Sequence, residues 1–160
     1  NLRELVERSA VKSGIEIKEI RHREAGRGKA VDYENVKLYR TEYEASGGKE
    51  FFLSFEDKKN NTLVGFLRLR IPDEPFMDEI LKGTALIREL HVYGQSVGIG
   101  KDSNGACQHR GFGSLLISEA EKIAKNLGCD KITIISGVGV REYYRKRGYE
   151  KEGVYMSKRI

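Results

Sequence analysis

The chain reads as an α/β protein built on a mixed sheet, largely antiparallel with a central parallel strand–helix–strand unit and flanking helices. Three observations predict this. Strand-like runs at 36–45, 50–57 and 62–72 follow one another with turn residues between them, the pattern of an antiparallel meander. An alternating run at 85–94 is followed by a helical pattern at 113–127 and then by the continuous apolar run "KITIISG" at 131–137. A strand, a crossover helix and a second strand place the two strands parallel. Finally, 160 residues is the size of one domain with one core, so meander and crossover must share a sheet.

Each element follows from its local pattern. Leu2, Leu5, Val6 and Ala10 have helical spacing, and Gly14 closes that helix. Ile15, Ile17 and Ile20 alternate with charges, which predicts a half-buried strand, and polar residues 21–34 predict a loop. In the meander, "GG" at 47–48 and "KKNN" at 58–61 supply the turns. Residues 73–83 read as a polar loop or one turn of helix, and 95–107, with Gly98, Gly100 and Gly105, as a loop. Leu116, Ala120, Ile123 and Leu127 fall on one face of the strongest helix in the chain, with Gly128 as its cap. The apolar strand at 131–137 predicts a central position with both faces covered. A short basic helix at 140–150 and a last strand at 153–160 complete the order.

The charge balance narrows the partners. Lys and Arg number 29 against 24 Asp and Glu, a modest basic excess that suits a polyanion, nucleic acid or a phosphorylated ligand, and equally suits a solvated surface. Two cysteines make no disulfide framework, and a cytoplasmic location is expected. With three scattered histidines and no zinc spacing, Cys107 and His109 predict no metal site. No apolar run is long enough for a membrane helix.

The chemistry concentrates at Gln108, Arg110, Gly111, Phe112 and Gly113, just before the best helix. A helix start leaves backbone N–H groups unpaired and carries partial positive charge, so an anion placed there gains several hydrogen bonds. Glycines let the backbone approach a ligand. Alone, the turn is as compatible with a plain strand-to-helix corner. It is not a nucleoside-triphosphate loop, because no Gly-Lys-Ser/Thr follows, nor a dinucleotide fingerprint, because the third glycine is missing.

The order of motifs makes the turn informative. "ELHV", "QHRGFG", a helix, "ITIIS" and "REYYRKRGYE" resemble the GCN5-related N-acetyltransferase superfamily. Gln108, Gly111 and Gly113 fit its acetyl-CoA motif, and Tyr143, Tyr144, Lys146, Gly148 and Tyr149 fit its later signature. Over nearly its whole length the chain closely resembles the C-terminal acetyltransferase domain of the Elongator catalytic-subunit family, enzymes that modify the wobble uridine of tRNA. The resemblance implies a partner radical-SAM domain that binds S-adenosylmethionine and a 4Fe-4S cluster. That cluster needs three clustered cysteines, which this chain lacks. Together with the Asn1 start, this leads us to expect an excised domain, with 1–34 as the helix, strand and basic linker toward the missing domain.

The resemblance also implies roles. The backbone of Glu89, Leu90, His91 and Val92 would pair with the pantetheine arm, while Leu90 and Val92 fill the core. Phe112, Gly113, Ser114 and Leu115 would hold the pyrophosphate, assisted by Gln108, Arg110 and Gly111. Tyr144 would face the sulfur as a proton donor, and Tyr143 would pack beside it. Glu89 and His91 share a strand face and are the candidate general bases. Glutamate-dependent members carry their base six positions before Val92, where this chain has Leu86. That departure disfavours simple lysine acetylation. It suits a tRNA enzyme in which the acetyl methyl carbon joins the uridine and the thioester is hydrolysed to leave a carboxymethyl group. Loop 94–107 reads either as a lid displaced by tRNA or as a plain surface loop. Arg21, Arg23, Arg27, Lys29, Arg68, Arg70, Arg145, Lys146 and Arg147 are the candidate RNA contacts. The competing functions are a protein lysine acetyltransferase and a non-catalytic acyl-CoA- or RNA-binding module. Expected partners are acetyl-CoA, tRNA, the radical-SAM domain and further Elongator subunits, with no membrane.

Overall fold

A computed structural model describes residues 1–26, 29–74, 83–94 and 111–160. The elements are α1 (Leu2–Lys12), α2 (Ile20–Arg23), β1 (Lys37–Glu44), β2 (Gly48–Asp57), β3 (Thr62–Pro72), β4 (Thr84–Val92), α3 (Phe112–Asn126), β5 (Lys131–Ile134), a 3-10 turn (Val138–Val140), α4 (Arg141–Arg145), β6 (Glu150–Glu152) and β7 (Tyr155–Arg159). The strands form one seven-stranded sheet in the order β1-β2-β3-β4-β5-β7-β6. Only the β4–β5 pair is parallel, joined through α3; the other neighbours are antiparallel. The mixed α/β sheet expected from the sequence is therefore the observed fold.

The core lies between α3 and one sheet face. Phe112, Leu116, Ile117, Ala120, Ile123 and Ala124 of α3 pack with Phe51, Leu53 and Phe55 of β2, Leu67 and Leu69 of β3, Ala85 and Ile87 of β4, and Ile132 and Ile134 of β5. Each large apolar side chain buried here contributes about 1.5–3 kcal/mol. The interface decides the fold because β4 and β5 have no direct turn between them and meet only by packing under α3.

Four elements differ from the sequence expectation. Residues 15–17 form no strand, and Ile15 is exposed: the alternation has no neighbouring strand to pair with. Instead, α2 occupies 20–23, capped by Glu19. β5 ends at Ile134 rather than continuing to Gly137. The final strand is preceded by short β6, forming a hairpin that turns at Gly153 (φ 59). Among the described residues no helix is long and apolar enough to cross a membrane.

Candidate active site

The site begins with a gap in the sheet. β4 pairs with β5 from Thr84 to Ile87, and the last link is the Ile135 N–H donating to the Ile87 carbonyl at 3.2 Å. From Glu89 to Val92, β4 is paired with β3 alone among the described strands. A bulge marks the change: Arg68 faces Glu89 while Leu69 faces Ile87, so Arg88 is the extra residue. A bulge bends its strand and re-aims side chains. Here it helps separate β4 from β5 and leaves, among the described residues, a backbone edge without a strand partner beside Leu90 and Val92, both of which pack partly into the core.

The start of α3 lies next to this gap. Gly111 is the N-cap, with φ 74 and no side-chain cap, and the first helical hydrogen bond runs from the Leu115 N–H to the Gly111 carbonyl at 3.0 Å. The N–H groups of Phe112, Gly113 and Ser114 thus precede the helix's own ladder. Gly113 lies between two other motif segments. A methyl at Gly113 would be 3.5 Å from Val92 Cγ2 and would overlap the Tyr143 hydroxyl. Its lack of a side chain serves the packing of α4 against α3, a requirement not visible in the motif. Phe112 is buried with its ring 4.8 Å from Phe55, so its side chain belongs to the core; Leu115 is exposed.

α4 supplies the tyrosines. Tyr144 is 6% exposed and sits edge-on between Tyr143, at 5.3 Å, and Tyr149, at 6.0 Å. Burial pushes its phenol above the usual range, Tyr143 adds to this, and Arg147 opposes it. Tyr144 therefore stays protonated through neutral pH, as a hydrogen-bond donor must. Tyr149 donates to Glu121 Oε1 at 2.8 Å, and burial with the Glu121 carboxylate pushes its phenol far up. Arg147 turns toward α3: its guanidinium lies 3.5 Å over the Tyr143 ring, and it donates to Ser114 Oγ and to the Tyr143 carbonyl. Arg147 was expected at an RNA surface; the structure brings its charge to the helix start.

Glu89 and His91 do share a face, opposite α3, and both are exposed. Glu89 Oε2 is 3.3 Å from Arg68 Nε, and His91 stacks on Phe66 at 5.2 Å. Leu86, where a glutamate base would stand, is buried and paired with Thr133. The basic candidates divide. Arg70 is 7% exposed; it bonds to Glu50 at 2.8 Å and to the carbonyls of Ala45 and Ser46, so it fastens the β1–β2 turn from inside. Arg23 is largely buried against Glu56, and Lys29 lies 3.4 Å from His22. Arg70 and Arg23 are turned inward because each meets a partner distant in sequence. Arg21, Arg145 and Lys146 are exposed, Arg145 beside Glu142. Gln108, Arg110, Arg27 and loop residues 95–107 lie outside the described residues. Among the described residues no three His, Cys, Asp or Glu side chains come together as a metal site.

The bulged strand, the gap after Ile87 and the glycine-capped helix coincide with a family-wide match. The acetyltransferase (GNAT) family model covers residues 16–149. The chain belongs to this family. Acetyl-CoA is the acyl donor of the GNAT fold. Among curated proteins, the chain is 53% identical to a tRNA uridine(34) acetyltransferase of Methanocaldococcus jannaschii over 99% of its own length and 30% of the relative's. It is 47% identical to Elongator complex protein 3 of Schizosaccharomyces pombe over 99% of its own length and 30% of that protein's. Among solved structures, Methanocaldococcus infernus Elp3 matches with a TM-score of 0.87 at 48% identity, covering 98% of this chain and 38% of that one. The chain thus spans about a third of the length of these relatives.

Proposed function

We propose that this domain binds acetyl-CoA and serves a tRNA-modifying enzyme that places an acetyl-derived carboxymethyl group on the wobble uridine. The observation that carries it is the position of Gly113, where an added methyl would lie 3.5 Å from Val92 Cγ2 on β4 and overlap the Tyr143 hydroxyl of α4. One residue thereby joins the three segments that acetyl-CoA would need: an extended backbone edge for the pantetheine amides, free N–H groups for the pyrophosphate, and a buried phenol for the thiolate. The relatives' names, uridine(34) acetyltransferase and Elongator complex protein 3, supply the acceptor.

The residues divide the work as follows. Glu89, Leu90, His91 and Val92 offer backbone groups to the pantetheine arm. Gly111, Phe112, Gly113, Ser114 and Leu115 offer the helix start to the pyrophosphate, with Gln108 and Arg110 beside them. Arg147, already held at Ser114, adds a cation there. Tyr144 donates to the thiolate that departs when the thioester is cleaved, and His91 or Glu89 deprotonates the attacking water. The chain has two cysteines and does not fit an iron–sulfur cluster, so the radical chemistry belongs to another domain of the full-length protein. Residues 1–34 would serve as the link to that domain. Leu86 in the position of the usual base disfavours the lysine-acetylating reading.

Two measurements test this. Calorimetric titration with CoA is expected to give one site per chain. Acetyl-CoA hydrolysis is expected to rise on adding tRNA and to ignore a histone peptide. Peptide acetylation with no tRNA response would overturn the proposal.

A further inference from the structure

The face of β1–β4 opposite α3 carries a second set of side chains, of which Ser54, Phe66 and Arg70 are buried and His91 is exposed. α3 covers the face bearing Leu53 and Leu67, while α2 meets the opposite face only at one end, through Arg23 and Glu56, among the described residues. By register, Tyr39, Ser54, Phe66 and His91 form one row across this opposite face, and Thr41, Phe52, Arg68 and Glu89 form the next. Its rings are close to parallel. Phe52 and Phe66 lie 5.3 Å apart at 26°, Phe66 and His91 5.2 Å apart at 29°, and His91 and Tyr93 6.2 Å apart at 11°. Cations sit over this face: Arg68 at 6.0 and 5.9 Å from the Phe52 and Phe66 centroids, and Lys58 at 3.7 Å from Tyr39.

Cross-strand aromatic pairs stabilise sheets, which accounts for Phe52 against the buried Phe66. His91, the register partner of Phe66, adds a ring that stays exposed at the open end of the series. No aliphatic side chain stands in either row. Flat rings flanked by Arg and Lys on an antiparallel sheet are what an unpaired base of RNA stacks on. Glu89 offsets the charge of Arg68, so stacking rather than phosphate attraction dominates there. His91 also belongs to the β4 stretch whose edge borders the gap, which puts the face beside the acyl donor's place.

We propose that this face is a stacking platform for an unpaired base of the RNA acceptor, with the exposed His91 ring as its outer surface, supported by the half-buried Tyr93 and the buried Phe66. The proposal rests on the tRNA reading above and assigns that substrate a seat in this chain.

The test uses two labelled anticodon stem–loop RNAs, one with the loop uridine and one abasic at that nucleotide. Stacking is worth about 1–3 kcal/mol per base, so the intact loop is expected to bind roughly 5- to 150-fold tighter. His91→Ala is expected to reduce the intact loop to the abasic affinity and leave the abasic loop unchanged. His91→Phe is expected to bind the intact loop within about threefold of wild type, because it keeps the ring, while losing any proton transfer in hydrolysis. Phe52→Ala, on a neighbouring strand, should act like His91→Ala; circular dichroism checks its fold. Equal affinity for both RNAs overturns the proposal, as does a His91→Phe variant as weak as His91→Ala. Binding of a lysine-containing peptide in place of RNA would assign the face to protein and also overturn it. If both RNAs bind equally while tRNA still stimulates acetyl-CoA hydrolysis, the platform fails and the functional reading stands. If CoA titration shows no site, the functional reading fails whatever the RNA result.

Discussion

Gly113 shows how one residue can carry several demands. Replacing it with alanine gains up to ~1 kcal/mol of helix propensity. Against this, the new methyl overlaps the Tyr143 hydroxyl, and that ring is pinned by Arg147 above it and by Tyr144 beside it. Overpacking of this kind costs about 1–3 kcal/mol, so the net effect of Gly113→Ala is expected to be destabilising. Thermal unfolding should show a lower Tm, and calorimetry at least a tenfold weaker affinity for CoA, because Tyr143 must shift at the helix start. Tyr144→Phe is the complementary case. It keeps the edge-on packing and removes only the hydroxyl, so CoA affinity should hold while tRNA-stimulated hydrolysis falls by roughly 100-fold or more, the usual range for a proton donor. An unchanged rate would leave Tyr144 a packing residue.

At the scale of elements, the β2–β3 hairpin has a built-in pH dependence. Asp57 ends β2 fully buried, and accepts the Asp32 N–H at 2.8 Å, the Asn60 side-chain amide at 2.7 Å and the Lys59 N–H at 3.1 Å. Burial alone would raise its pKa, but these donors outweigh it and hold the carboxyl below the usual aspartate range. A depressed folded value means that the stabilisation is complete above the unfolded pKa and is lost as pH falls through the folded one. Acid unfolding monitored by circular dichroism should therefore be shallower in Asp57→Asn, which at neutral pH should also be less stable by about 1–3 kcal/mol. β4 and the β1–β2 turn are linked in a similar way. Glu50 is buried under Arg70 and Arg88, so the extra residue of the bulge is tied to a strand two places away in the sheet. The bulge has its place because Arg88 has a partner there.

For the whole molecule, stability should come from the sheet and α3, with little from the N-terminal helix. α1 buries none of its residues, and its ties to the rest are exposed or half-exposed ion pairs such as Arg3 with Glu19. Surface pairs of this kind contribute about 0–1 kcal/mol. Removing residues 1–12 is expected to lower Tm by no more than about 2–4 °C, as for a loss of roughly 1 kcal/mol, and to leave CoA binding intact. A larger drop would show that α1 has packing partners. The molecule also shows what was legible beforehand. The meander, the crossover helix and the parallel pair could be read because each depends on local periodicity and turn residues, as in "VKLYRTEYEA" and the face of Leu116, Ala120 and Ile123. The strand expected at Ile15 and Ile17 did not form, because alternation specifies a strand only where a neighbour accepts its hydrogen bonds. The candidate site divides along the same line. Residues 111–113 were marked by the glycine turn before a helix, and 114–115 and 143–144 by the family resemblance. The Arg147 contact with Ser114, the inward turn of Arg70 to Glu50 and the ring series ending at His91 join residues far apart in sequence. The sequence by itself determined the meander strands, the crossover helix and the strand after it, because there the choice is made within a few residues. Only the tertiary structure decided which charges stay free and which rings meet, because those outcomes depend on partners that register and packing bring together.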